Sequence, residues 1–212
     1  MQLPPEIQKI FMDTLNGEMS LEEFEQWLYS EKRLEMMLRP EDYLALISYG
    51  YKTDTAKKWL YPLFEKHIDK AEFEKKRIRR LLTMTLDRDE KLPQLLVGFY
   101  ELYCNGYTFL DNLGLGYGLG IKAPEAINVS AKSWAELSNK KQNNLLNSFY
   151  PTLEMEIVKV ISWLDDGKVI LTGIRDETGC WEYVDNRTEE EMRPTGYTRI
   201  SGNEKKPWWK IW

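Results

Sequence analysis

Few side chains in this sequence have the type and spacing that chemistry requires. His67 is the sole histidine, so a Ser-His-Asp or Cys-His arrangement would have to be built on it, with Cys104 or an unmarked serine as nucleophile. Phe64 and Leu63, three and four residues earlier, place that imidazole on an apolar helix face, where filling space is the simpler role. Zinc has no cluster to use, since the sequence contains neither a Cys-x-x-Cys nor a His-x-x-x-His. The acidic group Asp87-Arg88-Asp89-Glu90 lacks the spacing and the glycine of a calcium loop and reads as a solvated helix end. No cofactor motif is present, and the reading is that of a protein that is not an enzyme.

The run LGLGYGLGIK, residues 113 to 122, carries glycine at 114, 116, 118 and 120. A dinucleotide fingerprint needs G-x-G-x-x-G, but from Gly114 the third glycine slot is Leu119, and from Gly116 it is Ile121. Both frames fail. Alternation instead suggests an extended backbone with its side chains on one side and a bare glycine side for a close neighbour. The competing reading is a ligand-facing loop of Gly116, Tyr117 and Gly118 in a pocket between a helical bundle and a sheet, with His67 and Cys104 nearby.

The elements that must position these residues change character along the chain. Pro4-Pro5 followed by Ile7, Ile10 and Phe11 predicts a first helix, stopped at Asn16-Gly17, and Ser20 with Glu23 forms a capping box ahead of Phe24, Trp27 and Leu28. A helix starts at Pro40. The next, from about Thr53 to His67, should be kinked or divided by Pro62, which lacks the required N–H. An amphipathic helix over 69–88 and an apolar one over 95–103 complete an antiparallel bundle. Beyond Pro124, EMEIVKVISWL, KVILTGIR and CWEYVDNR read as three strands joined by turns at Asp165-Asp166-Gly167 and Asp176-Glu177-Thr178-Gly179. The expected fold is α+β, with a helical region over 1–124 and an α/β region over 125–212 whose three-stranded antiparallel meander packs against the bundle as one compact unit.

The net charge of −5 argues against sequence-independent nucleic-acid binding, which depends on neutralising phosphates. In the basic run KKRIRR, residues 75–80, Ile78 falls on the buried stripe and neighbouring glutamates balance the cations, leaving a solvated face. No apolar segment is long enough for a membrane span, and no signal peptide is evident, so a soluble cytoplasmic protein with reduced thiols is expected. Residues 151–212 hold twelve acidic and nine basic side chains together with a tryptophan-rich end. Glu189, Glu190 and Glu191 read as a solvated helix start, and the tail as docked on the chain's own sheet; the alternative is an interaction surface, for which Asp165, Asp166, Glu189, Glu190, Glu191, Trp208 and Trp209 are the candidate partner-binding residues, acids steering a basic partner and aromatic rings anchoring it.

Two stretches, NGEMSLEEFEQWLYSEKRLEMML with EDYLALISYGYK, and LYCNGYTFLDNLGLGYGL, resemble small bacterial proteins that serve as immunity partners in polymorphic toxin systems. The resemblance spans about the first 120 residues and rests on aromatic and glycine positions. It implies a protein-binding module that neutralises a toxin, such as a basic nuclease domain, by occluding its active site. It assigns no toxin-contacting residue.

Overall fold

In the computed structural model the described residues are 3–52, 56–88, 90–127 and 129–195. They form an α+β protein that divides into two compact units, one ending at Phe73 and one beginning at Glu74.

The first unit contains α1 (Pro5–Asn16), α2 (Leu21–Ser30), the single turn α3 (Leu34–Met37), α4 (Pro40–Ile47), α5 (Ala56–Phe64) and the start of α6 (Lys70–Leu86). Local chemistry sets the ends. Gly17 closes α1 in the left-handed conformation at φ 74°, and Ser20 and Glu23 exchange both hydrogen bonds of the capping box. Pro62 does not divide α5, which runs through it and ends two residues later. The core is aromatic: Phe11 stacks on Phe64 at 4.1 Å, while Phe24 meets each of them edge-on. All three rings are almost wholly buried, each worth about 1.5–3 kcal/mol of transfer free energy.

The second unit holds the rest of α6, α7 (Leu92–Cys104), α8 (Asp111–Leu113), a π-helical turn (Gly114–Gly118), α9 (Leu119–Lys122), α10 (Asn139–Ser148), α11 (Thr152–Asp165), β1 (Val169–Arg175) and β2 (Trp181–Asp185). Two expectations fail here. Residues 154–164 form part of α11 and not a strand, so the sheet among the described residues is a two-stranded hairpin. The reason is periodicity: Leu153, Ile157, Val160 and Leu164 are buried at helical spacing, which outweighs the strand preference of the β-branched residues between them. The glycine run is helical throughout and not extended. Gly114 and Gly118, one turn apart, lie against α7, where a Cβ at Gly118 would fall on the carbonyl oxygen of Leu96.

β1 and β2 pair antiparallel, with Val169 opposite Asp185, Ile170 opposite Val184 and Leu171 opposite Tyr183; the register shifts before Arg175 opposite Trp181. Val169, Leu171 and Trp181 point into the core. Trp181 is clamped between the stacked ring of Tyr107, at 5.9 Å, and the guanidinium of Arg175, at 4.0 Å. The Tyr107 hydroxyl donates at 3.0 Å to the buried carboxylate of Glu74, which also pairs with Arg77.

Candidate functional site

Two places in the second unit gather the residues singled out above. The first is the open end of the hairpin. Asp165 and Asp166 end α11, and Glu189, Glu190 and Glu191 lie in the turns after β2. Asn186 ties the two segments together, donating its backbone N–H to Lys168 and its side-chain amide to Gly167. The ammonium of Lys168 then pairs with Glu191 at 3.3 Å. Asp165 forms a two-point pair with Arg79, both contacts at 3.1 Å, and that guanidinium holds its carboxyl below the usual carboxylate range. Hydrogen bonds from Thr188, reinforced by Lys168, do the same for Glu191. Among the described residues Asp166, Glu189 and Glu190 are exposed and have no ion-pair partner. Trp208 and Trp209 lie outside the described residues.

The hairpin adds apolar surface that the strand pattern alone did not single out as functional. Ile170 and Val184 face each other across the ladder on its outer side, each 47% exposed, and Ile174 is 57% exposed. The signal was in the sequence: Val169-Ile170-Leu171 is apolar on both faces of one strand, whereas a half-buried strand alternates. Between residues 165 and 195, nine carboxylates stand against four basic side chains, so the segment that carries the hairpin is acidic.

The second place is a cavity of about 430 Å³. Gly116 and Tyr117 of the π-helical turn line it, facing Phe149 and residues of α10 and α11, with Pro194 and Thr195 at its edge. It does not lie between bundle and sheet, and neither His67 nor Cys104 lines it. His67 belongs to the first unit, half-buried, with Nε2 3.4 Å from Asp42 Oδ2, and burial pushes its pKa down against the pull of that carboxylate. Cys104 is an exposed free thiol at the end of α7. Gly118 is buried against α7 and does not face the cavity. The glycines thus split between the two readings: Gly114 and Gly118 permit close packing, whereas a Cβ at Gly116 would meet open space.

One carboxylate borders the cavity. Glu156 is 1% exposed; it accepts from Asn112 Nδ2 at 3.0 Å, the Thr195 amide at 2.8 Å and the Thr195 hydroxyl, and it forms an ion pair with Lys159 Nζ at 2.6 Å. Glu156 therefore anchors Thr195 to α11. Sequence reasoning missed it because two of its partners, Asn112 and Thr195, lie 44 residues before and 39 after. Tyr117, half-buried near Glu156, has its hydroxyl pKa pushed up to about 12, chiefly by desolvation, so it stays a neutral donor.

Among the described residues no group of three or more His, Cys, Asp or Glu side chains is placed to hold a metal ion, and no helix is long and apolar enough to cross a membrane. No protein-family model, curated protein or solved structure matches the chain.

Proposed function

We propose that this is a non-enzymatic, cytoplasmic binding protein for a basic polypeptide, immunity-like in that it neutralises a toxin domain by covering its active site. The observation that carries the reading is the hairpin, where Ile170 and Val184 are exposed opposite each other, Ile174 is exposed on the same strand, and Asp166, Glu189 and Glu190 at the open end have no ion-pair partner among the described residues. Exposed apolar patches with a polar rim are characteristic of protein contacts, and a surround of one charge speeds encounter with a partner of the other. The engaged state of Glu156 supports binding over catalysis, because this buried carboxylate at the cavity holds Asn112 and Thr195 in place.

Affinity capture from the native cell tests it, with the wild-type chain and the Ile170→Asp/Val184→Asp variant side by side. The expected result is a stoichiometric basic protein on the wild type and its loss on the variant, with the captured protein's toxicity suppressed by added wild type. Equal capture by both chains, or capture of no stoichiometric partner, overturns the proposal.

A further inference from the structure

The geometry points to the cavity beside Gly116 as a receptor for a neutral group that carries a planar aromatic ring. Its volume of about 430 Å³ falls at the lower end of the range that holds small organic ligands, about 300–1,000 Å³. Its wall presents an aromatic corner, with Tyr117 and Phe149 packed edge to face at 5.1 Å and 73°. That arrangement leaves ring surface for a third ring to stack or abut. Leu145 and Ile127 add aliphatic contact to the lining.

Charge selects for neutrality. Glu156 is compensated within the wall by Lys159 at 2.6 Å, so an ionic ligand would enter without a free counter-charge and lose its hydration. The polar groups left over are neutral: among the described residues the hydroxyls of Tyr117 and Thr152 make no hydrogen bond, and both residues line the cavity. They suit a single N–H or O–H on the ring. Gly116 is what keeps the space open, since no atom lies within 4 Å of the position its Cβ would take. The π-helical turn contributes as well, because a widened turn re-aims consecutive residues and such turns recur at ligand sites.

A ring of this chemistry has two sources. One is a free aromatic compound. The other is the chain itself, for Trp208, Trp209 and Trp212 follow Thr195, which borders the cavity, by 13 to 17 residues. Indole is the probe that separates them, titrated calorimetrically into the full-length protein, its Trp208→Ala/Trp209→Ala/Trp212→Ala variant, and each of these carrying Gly116→Leu. Binding to the wild type that Gly116→Leu weakens by about 10-fold or more identifies a site for a free ring. Binding that appears only in the triple tryptophan variant, and is again lost with Gly116→Leu, identifies the chain's own ring as the occupant. No binding to either parent, or binding indifferent to Gly116→Leu, overturns the inference. A second measurement guards against misfolding: Gly116→Leu must keep the wild-type melting temperature. The Ile170→Asp/Val184→Asp variant should bind indole as its parent does, so the cavity and the hairpin proposals stand or fall separately.

Discussion

Alanine placed at each glycine of the 114–120 run should have sharply different effects, although all four sit in one short helical stretch. Gly114 and Gly118 have φ of −69° and −62°, so alanine meets no backbone strain and gains helix propensity, about 0.5–1 kcal/mol. What differs is the neighbour. At Gly118 the new methyl would strike the backbone of Leu96 in α7, with the carbonyl carbon at 3.2 Å and Tyr100 Cβ at 3.0 Å. Leu96 is wholly buried, so α7 cannot retreat without opening the core. Overpacking of this kind costs about 1–3 kcal/mol or more, and against rigid backbone the upper end applies, leaving a net loss of about 2 kcal/mol after the propensity gain. That corresponds to about 4–8 °C in melting temperature for a chain of this size. Gly116→Ala meets nothing and should melt at or slightly above wild type. Gly114→Ala, with backbone and Cβ neighbours at 3.0–3.2 Å, should fall between them, and Gly120→Ala should be mild because it meets only the rotatable end of Ile127. Calorimetry and urea titration followed by circular dichroism would rank the four. Equal melting of the Gly116 and Gly118 variants would refute the packing argument.

Four further outcomes are expected. Glu156→Gln leaves Lys159 without its partner and turns an amide toward existing donors; the cost should be about 3 kcal/mol by urea titration, with loss of hydrogen-exchange protection at the Thr195 amide. Tyr107→Phe removes the hydroxyl that donates to buried Glu74 and should cost about 1–3 kcal/mol, measured the same way. His67, its pKa lowered by burial despite Asp42, takes up a proton more readily when unfolded, so its contribution is complete above the ordinary value of 6.5 and declines as pH falls through the lower folded value. His67→Gln should flatten that acid limb in urea midpoints taken below pH 6.5. Asp165→Asn breaks an exposed pair with Arg79 and should change stability by less than about 1 kcal/mol, yet slow association with a basic partner at low salt, as stopped-flow mixing would show.

The elements legible in the sequence were those whose signals are local. Ser20 and Glu23 close a capping box across three residues, and Gly167 and Gly179 mark the turns bounding β1 with φ of 69° and 85°. Misreadings arose where two periods coincide. Glycine at every second position satisfies a strand pattern, yet Gly114 and Gly118 are also one helical turn apart, and only their contact with α7 separates the two. In α11 the run Ile157-Val158, Val160-Ile161 favours a strand by composition, with exposed Val158 obscuring the buried face. Of the candidate partner residues, the acids were visible as charge runs, but their meeting at one end of the hairpin depends on Asn186 reaching Gly167 and Lys168. The cavity was less legible still. Tyr117 was singled out, whereas Asn112, Glu156 and Thr195 are joined only by the folded chain.

Gly106 ties two distant parts of the second unit, for its φ is 109° and a Cβ there would come within 2.6 Å of the Trp181 backbone, whose N–H is bonded to Asn105. Evolution can therefore alter neither side alone: a homologue that keeps this hairpin docked must retain a residue without a side chain at 106 and a flat ring some 75 positions later, facing the aromatic at 107. Such a paired constraint offers a way to recognise distant kin whose remaining sequence has drifted beyond ordinary similarity.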